Sequence, residues 1–546
     1  MKTIDSLRLV FLGGVGDIGM NCMAIETAEG IVLVDCGVMF ASDRELGIEL
    51  ILPDLRYFRA NRAKIKALVV THGHEDHIGA IPLVFGDFGI PVYAPKFAGS
   101  VLRAKCAEFP GTLPAKMHRI GPGESLEVAG LKFEFYRVTH SIPDALGFVI
   151  RTPFGNIVHT GDFRIDRKPS MGEPFDLETL KRIGDEGVLL LLSDSTNVEK
   201  PGHTGSEVEA VEGIRQLTES HQGRVLISLF SSNVERVALL AKLAQASGRR
   251  FGLVGRSLYT YTRAALEAGL NPFDPGMLVA PSNADDFPGQ RLMLLVAGSQ
   301  GEPRSSLTRV SLGLHPDLTI RESDMVIMSS KIIPGNEQDI GKVMNDLARA
   351  GATVYHEGNA AVHVSGHAQQ DELREVIELT RPRYFIPVHG EYRFLRHHAH
   401  LASKWSDTQP VVADLGDMVT VTANSVEVTG RMDLQPFYIE GSTVGNGDEL
   451  KLKERKKLLF NGLVALTAKP VKKKGRKVID AQIRLYGVPD PDGSLVTELR
   501  QTLELEFADR LTGLSNETIE EELGSVVRRV VRKRQGKKPL VHVVLQ

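Results

Sequence analysis

Three histidines and two acidic residues crowd into Thr71-His72-Gly73-His74-Glu75-Asp76-His77, directly after the apolar run Ala67-Leu68-Val69-Val70. The run reads as a short buried strand, and a helical signal resumes near Ile78-Gly79-Ala80-Ile81, which places the cluster on the turn at a strand's C-terminal end. His72 and His74 alternate on one extended stretch and can reach one cation. Asp76 and His77, on the turn into the helix, aim elsewhere and suit a second. Imidazole and carboxylate are the donor types that hold zinc, or manganese as a harder alternative. The chain has 17 histidines in 546 residues, so three within six positions point to a metal site more than to a polar turn.

Other strands end the same way. Asp35 follows Ile31-Val32-Leu33-Val34, His140 follows the run from Phe133 to Val138, Asp162 follows Asn156-Ile157-Val158-His159, and Asp194 follows Val188–Leu192. A single aspartate after a strand is commonly a turn or helix cap. Five strands ending in His or Asp can instead converge on one edge of a sheet, where layered α/β folds place their chemistry. Gly161, just before Asp162, permits the sharp turn that a ligand carboxylate needs.

A length of 546 residues implies several domains. The net charge of -3 excludes a generally basic nucleic-acid coat, so a polyanion must be held by a local patch or by bound cations. Cys22, Cys36 and Cys106 lack zinc-type spacing, and so sparse a set fits packed thiols in a reducing cytosol. The run from Leu7 to Leu12 reads as a first strand, not a signal peptide, and no run of 18 apolar residues suggests a membrane span.

The strand-rich region 1–205 gives way at 206–358 to alternating strands and helices. Its strand-ending turns are Ser231-Ser232-Asn233, Gly255-Arg256-Ser257, Gly298-Ser299-Gln300-Gly301 and Ser329-Ser330-Lys331. Each is either an ordinary N-cap or an anion cradle; four in one insert lean toward a phosphate-lined face. Residues 359–430 return to the chemistry, with His363-Val364-Ser365-Gly366-His367 before a helix and a strand ending in His389-Gly390-Glu391. His397, His398 and His400 fall on a predicted helix beside Arg393 and Arg396 and read as a solvated face. Residues 431–458 look like a connector. The segment 459–546 reads as a small α/β domain with helices near Val496–Ala508 and Glu517–Arg534. Its basic runs, Lys472-Lys473-Lys474-Gly475-Arg476-Lys477 and Arg528 to Arg534, suit a solvated face, RNA contact or oligomer docking.

At His72-x-His74-x-Asp76-His77, with Asp35, His140 and Asp162 at other strand ends, the chain resembles the metallo-β-lactamase superfamily. The αβ insert, then Asp194, His367 and His389 in order, resembles its β-CASP nuclease branch, and the whole layout is similar to the bacterial ribonuclease J family. The resemblance implies an α/β fold: a metallo-β-lactamase αββα sandwich with an inserted β-CASP α/β domain and a small C-terminal α/β domain. It implies two divalent metal ions, Zn²⁺ or Mn²⁺, the first held by His72, His74 and His140, the second by Asp76, His77 and His389, with Asp162 bridging. Asp35 would orient ligand histidines. His367, held by Asp194, would be the general acid. His at position 389 goes with RNA, not DNA, in this branch, and Ser231, Ser232, Asn233, His363, Ser365, Gly366 and His367 would form the pocket for a 5′-monophosphate end. The implied activity is 5′-to-3′ exonuclease with endonuclease action on single-stranded RNA, in rRNA processing and mRNA decay in the cytoplasm. A homodimer or larger homo-oligomer, a place in an RNA-degradation complex and no membrane are the implied partners. A DNA nuclease of the same branch and a non-catalytic RNA-binding scaffold are the alternatives; the scaffold disagrees with the complete ligand set.

Overall fold

A computed structural model describes residues 5–41, 47–86, 88–109, 116–333, 335–473, 476–507 and 514–546, apart from the side chains of 473, 476 and 477. The chain divides into two compact units. One comprises residues 1–40 and 50–437, the other 41–49 and 438–546.

Two sheets form the heart of the first unit. An eight-stranded sheet runs in the order Val426–Arg431, Asp417–Thr422, Ser6–Phe11, Met23–Thr27, Gly30–Val34, Ile65–Val69, Pro91–Ala94, Lys116–Arg119. A seven-stranded sheet runs in the order Gln409–Pro410, Tyr384–Val388, Val188–Asp194, Gly155–His159, Leu146–Thr152, Leu131–Arg137, Ser125–Val128. Period-two alternation decides which side chains meet between them. Leu9, Phe11, Val32 and Val69 pack with Phe133, Phe148, Leu190 and Ile386 in one shared core. The intervening residues Val149, Val158, Leu191 and Phe385 face outward and are covered by Leu180 and Ile183 of the helix Leu177–Glu186 and by Leu373 and Val376 of Gln370–Thr380. Burial on both faces explains why Val188–Leu192 is a continuous apolar run without alternation.

The region 206–358 holds a six-stranded, all-parallel sheet in the order Leu278–Val279, Arg250–Val254, Leu292–Val296, Val225–Ser228, Met325–Met328, Thr353–His356. Helices cover both faces: Val237 and Leu240 pack against Ile227 and Leu295, while Ile340 and Val343 pack against Leu226 and Val326. The architecture is the expected αββα sandwich with an α/β insert.

In the second unit, strands Leu463–Lys473, Arg476–Tyr486 and Leu540–Leu545 form a sheet with the first in the middle. Helices Ser494–Glu506 and Asn516–Gln535 cover it through Leu495, Leu499, Leu523 and Val527. The stretch 431–458, expected as connector, carries strands Phe437–Glu440 and Thr443–Asn446 and the start of the helix Leu452–Asn461. Arg528, Arg529, Arg532, Lys533 and Arg534 are exposed on the Asn516–Gln535 helix. Of the other basic run, the side chains from Lys473 to Lys477 lie outside the described residues, as does Ala508 at the end of a predicted helix.

One expectation fails on the helix Tyr392–Trp405. His400 is exposed, but His398 is fully buried, packed edge-on against Phe385 with Nδ1 3.0 Å from Ser195 Oγ. Its place one turn from Phe394 puts it on the apolar stripe facing the sheet, which the surrounding charges hide in the sequence.

Candidate metal centre

The strand Ile65–Val69 delivers Thr71 to His77 to the edge where Asp35, His140, Asp162, Asp194 and His389 also emerge. The helix starts earlier than the sequence suggests, at Glu75, with His74 as its N-cap residue. Asp76 and His77 therefore stand on its first turn, where carboxylates complement exposed backbone N–H groups. Asp35 and His389 both adopt left-handed backbone, with φ of 57° and 54°, conformations uncommon for residues with a Cβ. Each turns the chain sharply where its strand ends.

Two donor groups result. In the first, His72 Nε2 and His140 Nε2 lie 3.1 and 3.2 Å from His74 Nδ1. In the second, Asp162 Oδ2 is 3.1 Å from His77 Nε2 and 3.5 Å from His389 Nε2, and Asp76 Oδ2 is 3.5 and 3.2 Å from the same two nitrogens. Asp162 also faces the first group, with Oδ2 3.8 Å from His72 Nε2. His72, His77, His140, Asp162 and His389 are buried, while His74 and Asp76 are partly open.

The hydrogen bonds behind these rings decide what they offer in front. His140 Nδ1 donates to the Gly366 carbonyl at 2.6 Å and His77 Nδ1 to Asp35 Oδ2 at 2.8 Å, so the inward Nε2 atoms are the ones left to carry lone pairs. His72 Nδ1 sits 3.0 Å from Thr71 Oγ1, which also lies 2.8 Å from Asp35 Oδ2. In the first group, burial and then the neighbouring rings push His72 and His140 well below the usual imidazole range, and burial brings His74 to about 4. Three uncharged nitrogens thus converge with at most one hydrogen among them, an arrangement that suits a cation.

The second group is balanced differently. Burial opposes charge on His77 and His389, but Asp162 with Asp76 and Asp35 raises the first, and Asp162 with Asp194 and Asp76 lifts the second to about 10. Asp76 and Asp162 are correspondingly held below the carboxylate range by His77 and His389, against burial. Protons stand where a cation would give the same balance. The donor set therefore fits a metal at both groups.

Beside them, His367 Nδ1 is 2.7 Å from Asp194 Oδ2, and the ring is stacked over His389 with centroids 5.3 Å apart. Gly366 must be glycine, because a Cβ there would meet Ser141 Oγ at 2.6 Å and His140 Cε1 at 2.8 Å. Ser365 Oγ accepts from Asn197 Nδ2 at 2.8 Å, and Ser232 Oγ lies 3.2 Å from His74 Nε2. The remaining expected pocket residues have other partners. Ser231 Oγ is 2.8 Å from Ser257 Oγ. His363 Nδ1 accepts from Arg236 Nη1 at 2.9 Å. Asn233 caps the helix Val234–Ala246 and donates to buried Glu207 at 3.1 Å.

Several contributors escaped the sequence reading. Asn21 Nδ2 lies 3.1 Å from Asp76 Oδ2 and 3.0 Å from His77 Nε2. Thr196 Oγ1 lies 2.7 Å from both His389 Nδ1 and Asp194 Oδ1. Asn197, the next residue, ties this loop to Ser365. Position next to a ligand was the only available signal, and it marks Thr71, beside His72, but neither Thr196 nor Asn21.

Comparison with known proteins follows the same geography. Residues 15–203 match the metallo-beta-lactamase superfamily, 222–347 the ribonuclease J beta-CASP domain, 356–412 the Zn-dependent metallo-hydrolase RNA specificity domain, and 450–546 the ribonuclease J C-terminal domain. The chain is 37% identical to ribonuclease J 1 of Streptococcus pyogenes over 84% of its own length and 82% of that protein's. It is 35% identical to ribonuclease J of Synechocystis over 99% and 87%, and 32% identical to ribonuclease J2 of Bacillus subtilis over 99% and 98%. A crystal structure of a protein of unknown function from Enterococcus faecalis V583 shares the fold at a TM-score of 0.55 and 16% identity, covering 76% of this chain and 100% of that one. Among the described residues no helix is long and apolar enough to cross a membrane. With its donor groups at the sandwich edge and all four domain matches in order, the chain belongs to the ribonuclease J family: it is a metal-binding nuclease of the metallo-β-lactamase superfamily whose substrate is RNA.

Proposed function

We propose that this chain is a two-metal ribonuclease that degrades RNA from 5′-monophosphate ends in the 5′-to-3′ direction and also cuts internally, serving RNA maturation and decay in the cytoplasm. One observation carries the reading: seven donor side chains from four strand ends meet as two groups that share Asp162. His72, His74 and His140 would hold one ion and Asp76, His77 and His389 the other, with Asp162 reaching both. Two divalent ions, zinc or manganese, would neutralise phosphoryl oxygens and lower the pKa of an attacking water from 15.7 to about 7.

The chain's own residues do the rest. Asp194 accepts from His367 Nδ1, which fixes that ring; as the imidazolium, with a hydrogen on each nitrogen, it would deliver the Nε2 proton to the departing 3′ oxygen. Of the two imidazoles beside Asp194, His367 is the more open, its side chain 20% exposed against 4% for His389, as a group meeting substrate must be. Arg236 and Arg164 hold the carbonyls of Val364 and Ser365 at 3.0 and 3.1 Å, so the 363–367 turn is stiff and its polar groups stay aimed at the incoming phosphate. Ser232 and Ser365 are the hydroxyls placed to meet a terminal 5′-phosphate. Cleavage there leaves a 5′-phosphate on the downstream piece and a 3′-hydroxyl on the released nucleotide.

The deciding assay uses 5′-labelled RNA with and without added zinc or manganese. Metal-dependent release of mononucleotides, faster from 5′-monophosphate than from 5′-hydroxyl ends, is expected. Equal rates would leave only internal cutting, and equal cleavage of single-stranded DNA would favour a DNA nuclease. Self-association through the C-terminal unit, with its exposed Leu458, Leu459 and Phe460, belongs to the same proposal and is checked by sedimentation of the full chain.

A further inference from the structure

Thr71 and Thr196 occupy equivalent places around two different aspartates. Asp35 takes His77 Nδ1 directly at 2.8 Å and reaches His72 Nδ1 through the Thr71 hydroxyl, at 2.8 and 3.0 Å. Asp194 takes His367 Nδ1 directly at 2.7 Å and reaches His389 Nδ1 through the Thr196 hydroxyl, at 2.7 and 2.7 Å. The backbone N–H of each threonine also donates to its aspartate, Thr71 N to Asp35 Oδ1 at 2.8 Å and Thr196 N to Asp194 Oδ1 at 2.9 Å. Both carboxylates are nearly sealed from solvent, at 3% and 1% exposure.

A hydroxyl has one hydrogen and two lone pairs. Next to a carboxylate oxygen, which only accepts, that hydrogen must point at the carboxylate, or two sets of lone pairs would face each other at under 3 Å. The hydroxyl oxygen then offers a lone pair to the imidazole, and the ring nitrogen facing it must carry the hydrogen. Nδ1 is therefore the protonated nitrogen of His72 and of His389 in their neutral forms, and Nε2 is left bare toward the centre.

We propose that Thr71 and Thr196 are positioning residues that pass the orienting effect of one buried aspartate to a second histidine, so that each aspartate sets the tautomer of two rings. This rests on the two-metal reading above and goes beyond it by assigning tautomer control to two side chains that are not ligands. Thr71 serves the His72 group, and Thr196 serves the group containing His389.

The test uses the full chain loaded with zinc, with Thr71→Val, Thr196→Val and the matching Thr→Ser variants. Zinc per chain is measured after dialysis against graded EDTA, alongside thermal melting of the metal-free proteins. Valine keeps the shape and removes the hydroxyl, so each Val variant should release zinc at an EDTA concentration about 10- to 100-fold lower, while Ser stays close to the unsubstituted chain. Each Val variant should weaken one zinc and spare the other. Val and Ser behaving alike, whether both tight or both weak, would overturn the relay. If a Val variant does not fold, Thr→Ala against Thr→Ser replaces it: Ser tight and Ala weak supports the relay, and any other pairing overturns it. An unsubstituted chain that binds no zinc would instead sink the metal reading itself, so the two failures are told apart.

Discussion

Glu207→Gln probes how the insert is fastened to the sandwich. Glu207 opens the helix Glu207–Thr218 and is fully buried. Its Oε1 takes Arg164 Nη1 at 2.8 Å and its Oε2 takes Arg236 Nε at 2.6 Å. Those arginines in turn hold His363, Val364 and Ser365, so one carboxylate anchors the turn that shapes the site. Burial alone would raise its pKa, but Arg236 and Arg164 outweigh that and bring it from 4.5 to about 2. The difference corresponds to about 3 kcal/mol, within the roughly 3–5 kcal/mol expected for breaking a buried pair. Because the folded-state value is depressed, this stabilisation is complete well above pH 4.5 and is lost as pH falls toward 2. By pH 4 about 1 kcal/mol of it is gone. Urea unfolding of both proteins at pH 7 and pH 4, followed by intrinsic fluorescence, reads this directly. A gap of about 3 kcal/mol at pH 7 that narrows by about 1 kcal/mol at pH 4 is expected. A gap under about 1 kcal/mol, or one that does not narrow, would mean that the arginines compensate each other without Glu207.

Other outcomes follow from the centre itself. His74→Ala should lose bound metal by elemental analysis together with cleavage; full activity would refute the donor assignment. His367→Ala should keep its metal yet lose about 10²- to 10⁴-fold in rate, and lost metal would make His367 a ligand instead. Metal uptake at pH 7 should release protons, since Asp162, Asp194 and Asp76 raise His389 to about 10 and His77 is also raised in the metal-free chain, both against burial. Calorimetry in buffers of different ionisation enthalpy measures that release, and binding with no buffer dependence would contradict it.

Much of the centre was legible in the chain because ligands at strand ends leave a local mark: an apolar run stops and a histidine or aspartate follows. His72, His74, Asp76, His77, Asp35, His140, Asp162, Asp194 and His389 all carry it, and all nine meet in the fold. Many of the strands were equally readable, since period-two alternation and fully apolar parallel strands are imposed by burial on one face or two, whereas the αββα layering was implied by the family resemblance alone. What lay beyond the sequence were the partners at long separation. His398 looked solvated and is core. Asn233, readable as either an N-cap or part of an anion cradle, caps a helix and donates to Glu207. Asn21, Thr196, Arg164 and Arg236 carry no pattern of their own. Polar side chains acquire roles from whichever lone pair or hydrogen the fold brings within 3 Å, and only the packed tertiary structure brings Glu207 to Arg164 or Thr196 to His389.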